Sequence, residues 1–384
     1  MTKQYKLPNV KFIRWYKLFL VFICFSACFS YFYYGFSAYQ ILQGGRSFLL
    51  IFSLPILVKI TKYELNKLIP ILFWVTVITS VLFILQVVVG KPLMPYNGEP
   101  KIDETVGLLR MYNKPALLDL FLALTFVCPR YFGKKVNLLR VIFFVALICT
   151  FGRTGIFSTV MVVLLSMLFL GKASKMLKTI LVIGFLFIPF IGIISDRFEK
   201  SKTEDDISVL SSGGYEDFSS GDGGTMTYRI AWVYERFEYL INRPIVEQIF
   251  GLGLISDSQP LATKIYNFRI GLPDPETGIP VQLSTPDIAY GNLLTKLGFS
   301  GGLIYLCFLI SLAIFLYKNR KTNALTIVCS AQIIMLFVLS MSGNLLSESK
   351  NLTMYFIAIA TIFRHYSRYK YSRQKDVILY QEIK

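Results

Sequence analysis

IPILFWVTVITSVLFILQVVV, from Ile69 to Val89, carries no charged residue and matches the roughly 20 apolar residues that a helix needs to cross a bilayer. Working outward from it, further apolar runs fall at Leu18–Phe36, Phe48–Val58, Ala116–Cys128, Val141–Phe151, Ile156–Leu170, Thr179–Ile194, Ala289–Tyr317, Leu325–Met341 and Leu352–Phe363. With 54% hydrophobic and 16% charged residues, the 384-residue chain departs from soluble composition in the same direction. The expected fold is an all-α polytopic membrane protein with about ten transmembrane helices and one large, partly helical outer loop. Ala289–Tyr317 is too long for one span, so it is expected to start as a membrane-surface segment before Gly298.

The net charge of +17 would in a soluble protein point to nucleic acid. Here its distribution gives it another meaning. With an even number of spans and a cytoplasmic N terminus, alternate loops hold most of the 40 Lys and Arg residues, among them Lys59, Lys62, Lys67, Arg130, Lys134, Lys135, Lys318, Arg320 and Lys321. The only acids on that side are Glu64, Asp376 and Glu382. This asymmetry is the positive-inside pattern. It places both termini in the cytoplasm and the polar insert outside the cell membrane, with the bilayer rather than nucleic acid as partner. The chain divides into N-terminal membrane helices over 1–195, the insert over 196–286, C-terminal membrane helices over 287–364 and a basic tail over 365–384.

The insert is the segment that crossing a bilayer does not require, and long loops of this kind are functional or disordered. Its first part, through SKTEDDISVLSSGGYEDFSSGDGG, is acidic and rich in Gly and Ser and reads as flexible. Its second part, TYRIAWVYERFEYLINRPIVEQIFGLGL, Thr227 to Leu254, reads as a helix that Pro244 ends, with Ile230, Val233, Phe237, Leu240 and Ile241 on one face. Arg229, Arg236 and Arg243 recur every seventh residue, within a stripe about 40° wide. Glu235 and Glu238 fall on the opposite side, which leaves the three guanidinium groups to find anions elsewhere: protein carboxylates, lipid phosphate or a phosphate-bearing ligand. The GLG of Gly251–Gly253 is a glycine turn, without the third glycine of a dinucleotide fingerprint.

The remaining candidates each carry two readings. Arg153 opens a span and is either a snorkelling anchor or a phosphate ligand approached across Gly152 and Gly155. Arg110 is a loop charge or a substrate contact. Asp287 stands where the chain re-enters the membrane, as the N-cap of the next helix or as a base of raised pKa, with Tyr290 on the following turn. The one histidine, His365, is in the cytoplasmic tail, and no Cys lies in an outer loop, so outer acid/base work falls to carboxylates and a zinc site is not expected.

TFGRTG around Arg153 resembles the SR-G-type signature of bacterial O-antigen ligases and Wzy-type polysaccharide polymerases. TYRIAWVYERFEYLINRPIVEQIFGLGL resembles their outer-loop pattern, and DIAYGNLLTKLGFSGGLIYL resembles the re-entry segment that closes that loop. In the ligases that segment resembles H-N-x-x-L, whereas here Asp287 stands in it and no histidine does. The resemblance therefore implies a polymerase, with a ligase or a lipid-linked oligosaccharide flippase as alternatives. It implies a metal-independent, cofactor-free glycosyltransferase that joins undecaprenyl-diphosphate-linked glycans on the outer face. Asp287, Arg229 and Arg153 would be its catalytic residues, and Arg236, Arg243, Arg110 and Tyr290 its substrate contacts. A flippase and a chain-length regulator of the same pathway are the expected protein partners.

Overall fold

The computed structural model describes residues 10–94, 101–102, 109–110, 114–150, 152–171, 225–256, 266, 268–271, 282–283, 288–341, 343, 345–346 and 352–369. The expected span Thr179–Ile194, the acidic run before Gly224, Asp287 and the end of the basic tail lie outside these residues, as do the side chains of Arg153, Arg110 and His365.

The described residues are almost entirely helical. In chain order the helices are α1 (Lys11–Phe32), α2 (Ala38–Gly45), α3 (Ser53–Lys59), α4 (Lys62–Val89), α5 (Leu118–Val127), α6 (Val136–Ile148) and α7 (Arg153–Phe169). After them come α8 (Thr225–Ile241), α9 (Ile245–Phe250), α10 (Ala289–Lys318), α11 (Ala324–Leu339) and α12 (Leu352–Tyr369). The only strands among the described residues are β1 (Lys101–Ile102) and β2 (Leu109–Arg110), an antiparallel pair with Lys101 opposite Arg110.

Local chemistry sets the helix ends. Ser37 and Gln40 form a capping box at the start of α2, and Thr61 and Glu64 form another at α4. Gly90, in the left-handed region at φ 73°, terminates α4, and Asn323 accepts the Thr326 N–H at the head of α11. Four helical segments are long and apolar enough to cross a membrane: Lys11–Phe32, Ala38–Lys59, Tyr63–Val89 and Ala289–Lys318. Leu118–Val127, Gly155–Phe169, Ala324–Leu339 and Leu352–Arg364 are apolar but shorter. The expected short span Phe48–Val58 is thus the second half of a longer one, in which a 3-10 turn over Arg46–Phe52 joins α2 to α3. Gln40, Gln43 and Arg46 break the apolar run there without breaking the helical path.

α10 runs beside α1, α7 beside α5 and α11, and α12 beside α3. The interior is aromatic: Phe19 meets the rings of Tyr305 and Phe48 at 4.8 and 5.8 Å, and Phe12 meets Phe315 at 4.7 Å. Large apolar side chains such as Ile71, Trp74, Ile78 and Leu85 face outward from α4, as they do where the surrounding solvent is lipid. At one end of the bundle Arg364 donates to the carbonyl of Ile60 and Asn323 donates to Thr361. Lys59 ends α3 next to Ile60, and Lys318, Arg320 and Lys321 come just before Asn323, so these cations lie at that end. At the other, Ala289 N–H donates to Ser340 O at 3.1 Å, Leu254 N–H donates to Ser30 Oγ at 2.9 Å, and α8 and α9 form a cap.

Candidate functional site

The cap is built on a break in α10. Gly298 adopts φ 65° and ψ −171°, a conformation open to glycine alone, and divides α10 into a short first part from Ala289, the expected re-entry segment, and a longer helix beyond it. This is the division expected from the length of the run. The break admits another backbone. A Cβ at Gly298 would lie 2.4 Å from Gly251 N, and a Cβ at Gly251, itself at φ 76°, would lie 2.5 Å from Gly298 N. Leu252 N–H then donates to Thr295 O at 2.7 Å, and the Tyr266 and Tyr34 hydroxyls donate to the carbonyls of Leu252 and Gly251. Burial pushes both of these phenols far above their ordinary pKa. The GLG sequence is therefore a packing device that locks the end of α9 into the kink of α10.

α8 lies across the re-entry segment. Trp232, fully buried, covers Gly291, where a Cβ would fall 2.4 Å from the indole. Tyr228, Ala231 and Ile270 complete this cluster, and Val233 and Ile288 pack on it. The buried face of α8 thus runs through Ala231, Trp232, Arg236 and Leu240. This corrects the face expected from the apolar pattern: Phe237 and Ile241 are 42% and 49% exposed. A guanidinium group took the place in the interior that apolar spacing assigned to phenylalanine and isoleucine.

Arg236 shows how that is possible. Its guanidinium stacks between the rings of Trp232 and Phe268, at 4.2 and 4.3 Å, pairs with Glu235 at 2.6 Å, and donates to Gln282 O at 3.1 Å. Glu235 also accepts the N–H groups of Arg269 and Ile270, while Gln282 exchanges two hydrogen bonds with the backbone of Phe268. Arg243 donates to Glu247 at 2.9 Å, and Glu247 accepts the Tyr33 hydroxyl at 3.0 Å. Burial works against the Arg243 charge, yet Glu247 and Tyr239 outweigh it and raise its pKa. Both arginines therefore have protein carboxylates, contrary to the expectation that Glu235 lay out of reach. The helical wheel fixes Cβ directions and not where a long carboxylate bends, and Glu247 comes from the next helix. Arg229 is half-buried, one turn before Trp232.

The other expected site residues lie on several elements. Arg153 is the first residue of α7, after Gly152. Beside that helix end Lys114 pairs with Asp119 at 3.1 Å, Asp119 accepts the Thr159 hydroxyl at 2.8 Å, and the position of a Cβ on Gly155 is 3.9 Å from Lys114 Nζ. Asp119 is an acid inside an apolar run, which is itself a signal, and Lys114 is its cation. Tyr290 donates its hydroxyl to Phe337 O at 2.9 Å, which fastens α10 to α11. Arg110 lies in β2. Asp287 precedes Ile288, which takes the N-cap position of α10 and packs on the Trp232 cluster. The cap position is therefore one residue beyond Asp287.

Among the described residues no three His, Cys, Asp or Glu side chains converge as metal ligands. No protein-family model and no curated protein matches the chain. What the arrangement offers chemically is the helix that carries Arg229, held against the start of α10 by Trp232 on Gly291.

Proposed function

We infer that this protein is a membrane polysaccharide polymerase, a glycosyltransferase that joins undecaprenyl-diphosphate-linked repeat units on the outer face of the cell membrane. The observation that carries the reading is the seat of α8 on the re-entry segment. Trp232 on Gly291 and Ile288 on the same cluster hold the helix of Arg229 beside the residue that follows Asp287.

In this reading a hydroxyl oxygen of one glycan bonds to the anomeric carbon of another. The bond from that carbon to the diphosphate oxygen breaks, and its electron pair leaves with undecaprenyl diphosphate. Arg229, with Arg153, stabilises the charge that develops on the diphosphate. The Asp287 carboxylate takes the hydroxyl proton. Arg236 and Arg243 hold the cap together, a different role from the substrate contacts the resemblance implies. The basic end of the bundle faces the cytoplasm and the cap faces outward, following the positive-inside asymmetry.

Deletion of the gene with analysis of lipid-linked glycans tests the assignment. A polymerase leaves single repeat units on the outer face and removes long chains, whereas loss of a flippase stops even single units from arriving there. Long polymer of normal length in the deletion strain overturns the reading.

A further inference from the structure

The outward side of α8 divides along its length. Tyr234, Phe237 and Ile241 are exposed within an arc of about 60° at 100° per residue, and Glu238 and Asn242 follow on the next part of the circumference. Past Pro244 the apolar side continues on α9, where Ile245 is 70% exposed and Val246 is exposed beside it. On a cap surrounded by water such a ridge would be a liability. One contact decides what covers it. The Phe237 ring meets Phe299 edge-on at 5.6 Å, and Phe299 is the residue immediately after the Gly298 kink. One turn further on, Leu303 begins the outward apolar stripe of α10 that passes through Ile310 and Ile314. The ridge on the cap and the lipid-facing stripe of a membrane-crossing helix are therefore continuous.

We propose that α8 and α9 lie in the interface of the outer leaflet, with Phe237, Ile241 and Ile245 inserted among the acyl chains and Glu238 and Asn242 in water. An amphipathic helix with aromatic residues on its apolar side is the form that binds in this plane. Arg229 stands about 80° from Phe237 at 100° per residue, on the side of α8 that Arg236 and Leu240 share, and is half-buried there. A diphosphate on a lipid anchor can then reach Arg229 by moving along the leaflet, without its lipid leaving the bilayer. This route rests on the polymerase reading. The placement of the helices does not, and it is tested without turnover.

The test places single nitroxide-labelled cysteines at Phe237→Cys, Ile241→Cys, Glu238→Cys and Asn242→Cys, in the full chain with its six native cysteines replaced, in phosphatidylethanolamine/phosphatidylglycerol nanodiscs. Labels at 237 and 241 should collide with oxygen several-fold more readily than with a water-soluble nickel chelate, and labels at 238 and 242 should show the reverse. Equal access of nickel to all four positions overturns the proposal. So does shielding of 237 and 241 from both reagents, which means a protein partner covers the ridge. Should the cysteine-free chain fail to fold, the unmodified chain in the same nanodiscs is labelled with a lipid-soluble carbene precursor. Adducts on Phe237, Ile241 or Ile245 support the proposal, and their absence while Leu303 is labelled overturns it.

Discussion

Trp232 rests on Gly291 with no room for a side chain between them: a Cβ at 291 would fall 2.4 Å from the indole ring. The contact joins the helix that carries Arg229 to the segment that follows Asp287, so it couples the cap to the proposed chemistry. Gly291→Ala should overpack it at a cost of about 1–3 kcal/mol. Thermal unfolding of the purified protein should shift downward and polymer length should fall, while the spans stay inserted. Unchanged unfolding and chain length would show that α8 can shift on its seat without consequence.

The interlock at the kink predicts a stronger effect. Gly298→Ala meets both a left-handed backbone and the crossing chain at Gly251, and the left-handed conformation alone costs about 1–2 kcal/mol for a residue with a Cβ. Limited proteolysis should cut between Pro244 and Leu254 in this variant and spare the wild type. Equal resistance in both would contradict the lock.

Arg236 and Arg229 should behave differently although they share a helix stripe. Arg236→Ala removes a fully buried cation from between Trp232 and Phe268 and should destabilise the cap by on the order of 3 kcal/mol, seen as lowered unfolding temperature and protein level. Arg229→Ala, at a half-buried position, should lower the unfolding temperature by less than Arg236→Ala at its fully buried one, and slow polymerisation by about 10²–10³-fold. A stable Arg236→Ala protein, or an active Arg229→Ala protein, would exchange the two roles.

The buried phenols of Tyr34 and Tyr266 predict how the cap responds to alkali. Burial raises both above their ordinary value of 10.0, so the neutral forms stabilise the folded cap. That stabilisation is complete below the unfolded value and is lost as pH climbs above it. Trp232 emission should therefore hold steady up to about pH 10 and shift to longer wavelength above it. Tyr266→Phe should weaken this alkaline dependence, and it should cost about 1 kcal/mol at neutral pH through loss of the bond to Leu252 O. An emission change that sets in well below pH 10 would contradict the assignment.

The parts of this architecture that depend on local chemistry are legible in the sequence. Gly298 divides an apolar run too long for one span, and Pro244 ends the arginine helix where proline must. What the sequence hides depends on distant partners. The face of α8 turns inward through Arg236 because Phe268 and Gln282 arrive from a separate segment to stack on and bond to its guanidinium. No periodicity within Thr225–Ile241 records that. The same holds for Lys114, whose partner Asp119 is itself engaged by Thr159 from another helix. The span from Ala38 to Lys59 was obscured for a simpler reason: Gln40, Gln43 and Arg46 interrupt its apolar run.

Reconstitution tests the polymerase reading most directly. The purified full chain in liposomes, supplied only with undecaprenyl-diphosphate-linked repeat units from its own host, should produce a ladder of longer lipid-linked glycans and release one undecaprenyl diphosphate per linkage formed. Repeat units that remain single, in liposomes whose protein is folded and outward-facing, would contradict it.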